Sequence, residues 1–221
     1  MFKKILMLWA KQSLMKQALE QTEQMFKTTF ELFVAVSEGF LDNKPITYDI
    51  YKRDQEINKF EMQIRRDVLE HLAINPREDV LAALIMTGVV SHIERIGDYS
   101  KNIYELIDLY GKPFDTSRTH DQERGLYDRV NAMFHDTKIA FFEGEPKSAQ
   151  KVMDEHGRLK KDCDAFIKEI TKSDSFDSRV AVVSVLATRH FKRVSAHLFN
   201  IASTVVNPFD LIGYTRRGND D

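Results

Sequence analysis

Long stretches of the chain repeat their apolar residues every three or four positions, which is the spacing of one face of an α-helix. The clearest such stripe consists of Ile57, Phe60, Ile64, Val68 and Leu72. The 221 residues include only nine Gly and five Pro, so few positions interrupt a helix. No stretch alternates apolar and polar residues in the way that a half-buried strand does. The sequence therefore predicts an all-α protein.

Six helical segments are predicted, in two groups of three with a polar stretch between them. Their approximate ranges are 11–40, 47–73, 76–110, 122–142, 146–171 and 176–206. Pro146 suits the first position of the fifth helix, and Ser173 or Asp174 is expected to cap the sixth. The predicted domains are a first bundle with an N-terminal extension at 1–113, a linker at 114–121, a second bundle at 122–208 and a C-terminal tail at 209–221.

Composition narrows the classes of function. The net charge of −2 and the pI of about 6.4 give no general electrostatic reason to bind nucleic acid. A single cysteine, Cys163, offers neither an internal disulfide nor a Cys-based zinc site, which favours a reducing cytoplasm. No stretch reaches the roughly 20 apolar residues needed to span a bilayer. The common catalytic motifs are also missing from the sequence, so we do not expect an enzyme.

One stretch, SHIERIGDYSKNIYEL at 91–106, carries acidic residues at helical spacing. Glu94 and Asp98 are four positions apart, and Asn102 continues the same line by another turn. On a helix these side chains lie on one face. Two carboxylates on a mostly buried helix need a cation or hydrogen-bond donors nearby, because unpaired buried charge is costly. The alternative is a solvated acidic edge of an amphipathic helix.

The residues of this stretch resemble a motif of the PhoU family, the phosphate-uptake regulators. The run ERIGD at 94–98 is followed one turn later by Asn102 and Ile103, and the run RDQEIN at 53–58 resembles the family's other short motif. The two motifs occur in the expected order, about 40 residues apart. The resemblance implies a three-helix unit that occurs twice, with the motifs on neighbouring helices and carboxylates that can hold a metal cluster.

An internal repeat with an offset of 98 residues agrees with this architecture. The identical pairs are His92 and His190, Arg95 and Arg193, Asn102 and Asn200, and Ile103 and Ile201. We therefore predict two tandem three-helix bundles related by an internal repeat, as in PhoU-like proteins.

The candidate metal ligands are the polar residues of both motifs in the first half. They are Asp54, Asn58, Glu94 and Asp98. Oxygen ligands of this kind favour divalent or iron cations. Arg95 is expected to balance the charge around the ligands or to pair with Asp98, and Asn102 lies next to them. If no metal is bound, Arg65, Arg95 or Lys101 is expected to neutralise the carboxylates.

The second half replaces these ligands by basic or small residues. Lys192, Ala196, His156 and Lys160 stand in place of Glu94, Asp98, Asp54 and Asn58. An ammonium has no lone pair for a cation, so this half is expected to lack the metal site. The predicted basic site comprises His156, Lys160, Arg189, Lys192, Arg193 and His197. Three interpretations stay open: a solvated face, internal pairing with Asp154 or Glu155, or a contact for an anion or acidic partner, above all through His156, Lys160, Lys192 and Arg193.

The resemblance implies a cytoplasmic regulator of phosphate uptake and phosphate signalling that acts through protein contacts. The partners it implies are the ATPase of the phosphate import system and a phosphate-sensing histidine kinase, and it also implies a homodimer. Two alternatives belong to other classes. One is a carboxylate-bridged metal-binding protein with hydrolytic or storage activity, and the other is a plain helical scaffold.

Overall fold

The computed structural model describes residues 2, 3, 5, 13–75, 80–111, 113, 119–173 and 175–214. Within this part of the chain six long α-helices form, and no residue is in a β-strand. The helices are α1 (Ser13–Asp42), α2 (Ile50–Ile74), α3 (Val80–Tyr110), α4 (His120–Phe142), α5 (Pro146–Lys172) and α6 (Ser178–Val206). A short 3-10 turn, Phe209–Leu211, follows α6. The predicted all-α class is confirmed.

The helices begin and end close to the positions predicted from apolar periodicity. The ends of α3 at Tyr110 and of α4 at Phe142 agree with the prediction, as does the start of α5 at Pro146. The helix α4 begins at His120, so the last two residues of the predicted linker are helical. The predicted start of the third helix at residue 76 lies outside the described residues, as do residues 114–118 of the linker.

Capping side chains fix where several helices begin. At the start of α2 the Asp49 carboxylate accepts a hydrogen bond from a backbone N–H of the first turn at 3.1 Å. Asp177 caps α6 and accepts hydrogen bonds from two backbone N–H groups of its first turn. The predicted cap of α6 at Ser173 or Asp174 was therefore wrong, because Ser173 instead ends α5. Both residue types can cap a helix, so sequence alone did not separate them.

The three helices of each half pack on one another, and the buried apolar residues of both halves form one continuous core. The helices α1, α2 and α3 contact one another, and so do α4, α5 and α6. In the first bundle Ile57, Ile64 and Val68 of the predicted stripe are buried. Gly97 on α3 lets α2 approach closely, because a Cβ there would lie 3.2 Å from Cδ1 of Ile57. The prediction of two three-helix bundles is confirmed.

An aromatic cluster joins the two bundles through α1 and α4. Phe26, Phe30 and Phe33 of α1 surround Phe134 of α4, with ring centroids 5.6, 4.9 and 5.1 Å from that of Phe134. Phe33 and Phe134 are almost completely buried. Burying a phenylalanine side chain contributes about 1.5–3 kcal/mol, so this cluster stabilises the contact between α1 and α4.

The helices α3 and α6 also face each other, through His and Tyr pairs that reflect the internal repeat. Nδ1 of His92 lies 3.1 Å from Nδ1 of His197, and the ring of Tyr99 lies 5.9 Å from that of His190. By the offset of 98, His190 is equivalent to His92 and His197 to Tyr99. The first position of each half therefore contacts the second position of the other half, as in an interface with two-fold symmetry.

One helix in the described part of the chain, α3, has the length and apolar composition to cross a membrane. Its most apolar window has a mean hydropathy of 1.4, but half of that window is buried within the protein. Core helices of globular proteins have the same properties, so this finding is weak support for a membrane span.

We predict that the α3–α6 interface loses stability on mild acidification. Burial is the main cause that lowers the pKa of His190 and of His197 to about 4, and it lowers the pKa of His92 as well. In the unfolded chain a histidine titrates near about 6.5, so the unfolded state takes up protons first as the pH falls. The stabilisation is complete above about pH 6.5 and should decline by roughly 1–3 kcal/mol between about pH 6.5 and pH 4.

Urea unfolding at several pH values measures this decline. Replacing His197 by Asn should flatten the pH dependence of the free energy of unfolding. The control is His135→Asn, because the His135 side chain is exposed. An equal slope in wild type and His197→Asn would contradict the prediction.

Candidate functional site

The carboxylates predicted as metal ligands lie together between α2 and α3. Asp54 and Asn58 are one turn apart on α2, and Glu94 and Asp98 are one turn apart on α3. The side chains of Asp54, Glu94 and Asp98 are 13%, 18% and 29% exposed. These carboxylates are largely removed from water, so their negative charge needs compensation.

Lys101 supplies most of that compensation. Its Nζ lies 3.0 Å from Oδ2 of Asp54 and 3.3 Å from Oδ1 of Asp98, and therefore bridges α2 and α3. Burial alone lowers the pKa of Lys101, but the two carboxylates outweigh that effect and raise the pKa above its usual value. The ammonium is therefore held in its charged form between the two acidic side chains.

Glu94 is the carboxyl group least well compensated in this cluster. Burial raises the pKa of Glu94 first, and the negative charges of Asp98 and Glu61 raise it further. Glu61 lies on α2 and is paired with Arg65, whose Nη2 is 2.8 Å from Oε1 of Glu61. A raised carboxyl pKa marks a place where an added positive charge would be stabilised.

Arg95 and Asn102, which were predicted to lie beside the ligands, differ in their contacts. Arg95 pairs with Asp98 at 3.2 Å and lies 3.6 Å from Glu94, which agrees with the predicted balancing of charge. Asn58 and Asn102 are both half-buried. No described residue forms a hydrogen bond with either amide side chain. We therefore assign no role to Asn102.

As the side chains are arranged, the acidic cluster does not fit a metal ion. The Lys101 ammonium lies between Asp54 and Asp98, where a bound cation would be. Among the described residues no group of three or more His, Cys, Asp or Glu side chains is positioned to hold an ion. Metal binding by these residues stays a prediction, and it requires Lys101 to move away.

The basic residues predicted for the second half line one cavity between α5 and α6. It has a volume of about 310 Å³. Its lining residues are His156, Lys160, Arg189, Lys192, Arg193 and Ala196. The repeat equivalents of Asp54, Asn58, Glu94 and Asp98 are all among them, so the second half holds a basic site at the position of the acidic cluster.

One residue predicted for this basic site lies elsewhere. His197 contacts His92 and Tyr99 of α3, so it belongs to the interface between the bundles. One of the three open interpretations, internal pairing with Asp154 or Glu155, does not hold. Asp154 accepts a hydrogen bond from Gln150, and Glu155 pairs with arginines that do not line the cavity.

The match to a family model shows to which proteins the chain is related. The PhoU domain model matches the chain twice, at residues 15–107 and 124–205. The chain belongs to the PhoU family. The two matches coincide with the two three-helix bundles, which confirms the internal repeat of PhoU domains predicted from the sequence.

Two solved structures of PhoU proteins share this fold. The crystal structure of PhoU from Pseudomonas aeruginosa has a TM-score of 0.79 and 18% sequence identity, and covers 87% of this chain and 95% of that chain. The phosphate transport system regulatory protein PhoU from Streptococcus pneumoniae has a TM-score of 0.70 and 18% identity, and covers 93% of this chain and 95% of that chain. At this level of identity the likeness establishes the fold. No curated protein sequence matches the chain significantly.

The sequence predicted Lys101 as one of three residues that neutralise the carboxylates if no metal is bound, but it did not place Glu61 in the acidic cluster. Glu61 and Lys101 each lie three residues beyond a motif residue, Asn58 and Asp98 respectively, on the same helix face. That spacing is the signal that identifies them. In the structure the cation that Asp54 and Asp98 share is the Lys101 ammonium.

We predict that Lys101 competes with metal ions for the acidic cluster. Replacing Lys101 by Met removes the bridging charge and should raise the affinity for Mn²⁺ at least about tenfold, because the ion no longer meets a nearby positive charge. Elemental analysis after equilibrium dialysis measures the bound metal. Adding Glu94→Ala and Asp98→Ala to this variant should abolish the bound metal.

The matched control is Lys59→Met, which removes an exposed lysine next to Asn58 on α2. Its affinity for Mn²⁺ should equal that of the wild type. If Lys101→Met binds metal no better than the wild type, Lys101 does not compete. If metal content survives the loss of Glu94 and Asp98, the metal ligands lie elsewhere.

Proposed function

We propose that the chain regulates phosphate uptake and phosphate signalling through protein contacts and not through catalysis. The observation that carries this proposal is the match of the PhoU domain to both halves of the chain. One structural neighbour is named as a regulatory protein of the phosphate transport system. The proposal places the protein in the cytoplasm as a homodimer.

The chemistry of the described side chains supports a role without covalent catalysis. Burial is the main cause that raises the pKa of the Cys163 thiol to about 12, so this residue is not a thiolate nucleophile at neutral pH. The Ser195 hydroxyl is buried and donates its proton to the backbone carbonyl of Lys192 at 2.8 Å. In the first half, Asp54 and Asp98 are both held by Lys101.

The proposed partners are the ATPase of the phosphate import system, a phosphate-sensing histidine kinase, or both. The first alternative from the sequence, a carboxylate-bridged metal protein with hydrolytic or storage activity, has no observation in its favour. The proposed regulator and this metal protein make opposite predictions about turnover of phosphate esters, so one experiment separates them.

Deletion of the gene in its host tests the proposal. At high external phosphate the deletion strain should take up radiolabelled phosphate faster than the wild type, because the proposed regulator restrains uptake. Expression of the full chain from a plasmid should restore the lower rate. Purification of the full chain from cell extract should also recover the ATPase subunit or the kinase.

Two outcomes would contradict the proposal. One is an unchanged uptake rate in the deletion strain at both high and low external phosphate. The other is metal-dependent hydrolysis of phosphate esters by the purified chain that is lost with Glu94→Gln, since a regulator that acts by contact has no such turnover.

A further inference from the structure

The cavity between α5 and α6 gathers more positive charge than its neighbours compensate. Within the described part of the chain, the side chains of Lys160, Arg189 and Arg193 form no ion pair and no hydrogen bond. Lys192 has a single acidic partner, Asp164, whose side chain is 55% exposed. The cavity therefore has four permanent positive charges and one partnered carboxylate at its edge.

Three less exposed cations among the described residues are each held by carboxylates. Lys101 contacts two carboxylates, Arg129 contacts Glu155 and Asp162, and Arg124 contacts Asp42. Lys160, Arg189 and Arg193 are exposed, so solvent weakens their repulsion, but positive charges that share one cavity still repel each other. An anion in the cavity would remove this repulsion without breaking a pair that involves Lys160, Arg189 or Arg193.

His156 is a partly buried histidine that lines the cavity next to its lysines. Burial together with the charges of Lys160 and Lys192 lowers the pKa of His156 to about 4. Its ring is held in place by a contact of 3.0 Å between Nδ1 and Oγ of Ser195. Because the Ser195 hydroxyl donates to a backbone carbonyl, its oxygen accepts the hydrogen bond from Nδ1–H of His156. The histidine is thus a fixed, neutral wall of the cavity.

The donors that line the cavity indicate which class of anion would fit. Its volume of about 310 Å³ is at the lower end of the range for small-molecule sites, about 300–1,000 Å³. Arg189 and Arg193 are one turn apart on α6, and Lys160 faces them from α5. Each guanidinium has five N–H donors in a planar fork that suits phosphate oxygens.

We propose that this cavity binds a phosphate-class oxyanion, held by Lys160, Arg189, Lys192 and Arg193, and that the bound species is free inorganic phosphate. The oxyanion site stands on the geometry of the cavity alone. The choice of phosphate as the physiological oxyanion rests on the proposed function. The site occupies the position that corresponds to the acidic cluster of the first half. The chain therefore has an acidic cluster in its first half and a basic cavity in its second half.

Calorimetric titration of the full chain with inorganic phosphate tests the site. The wild type should show saturable binding of one phosphate per chain. Lys160→Glu and Arg193→Glu should each weaken binding at least about tenfold, because each replaces a donor by a repelling charge. Both side chains are exposed in part to solvent, so we expect the variants to fold, and circular dichroism checks this.

Lys161→Glu is the matched control, because Lys161 is an exposed neighbour on α5 that does not line the cavity. It introduces the same charge change and should retain the affinity of the wild type. Absence of saturable binding by the wild type overturns the site. Equal weakening by Lys161→Glu and Lys160→Glu also overturns it, because the effect would then come from net charge.

Two further measurements test whether the ligand is free phosphate and whether the site and the proposed function hold independently of each other. Phosphoserine that binds more tightly than inorganic phosphate would overturn the choice of the free ion in favour of a phosphorylated partner. Phosphate binding combined with normal uptake in the deletion strain would overturn the proposed function and leave the site intact. No binding combined with derepressed uptake would overturn the site and leave the proposed function intact.

Discussion

The packing of α3 against α6 determines where both charged sites lie. Each helix turns by about 100° per residue, so His92 and Tyr99 lie on one face of α3 while Glu94 and Asp98 lie on nearly the opposite face. The first face contacts α6, as the distance of 3.1 Å between His92 and His197 shows. The second face is left for α2. Because the repeat gives α6 the same arrangement, its Lys192 faces α5.

Charge is compensated by internal partners in the first site but not for most cations of the second site. In the first half, Lys101 lies one turn beyond Asp98 and bridges it to Asp54. The repeat equivalent of Lys101 is Phe199, whose ring lies 5.1 Å from that of His156. The second half has therefore lost the motif carboxylates and the lysine that neutralised them. In its place, Lys192 pairs with Asp164, and Lys160, Arg189 and Arg193 are exposed to solvent and form no ion pair among the described residues.

The sequence predicted the fold well because each helix carries its own periodic signal. It also placed the four motif residues on facing helices, since spacing of three or four residues determines a helix face. Two features depended on contacts that one helix does not encode. The bridge from Lys101 to Asp54 joins residues 47 apart in the chain. His197 was assigned to the basic site because it is close to Arg193 in sequence, but the packing of α3 on α6 turned its ring toward His92.

The two sites differ in how much must change before an ion binds. A metal ion at the acidic cluster must displace the Lys101 ammonium, and the displaced side chain would lose two ion pairs at 3.0 and 3.3 Å. An oxyanion at the basic cavity displaces no partner of Lys160, Arg189 or Arg193 among the described residues. Binding at the cavity therefore has no internal ion pair of these three residues to break. The physical difference between the halves therefore favours the second half as the site that binds a small ion first.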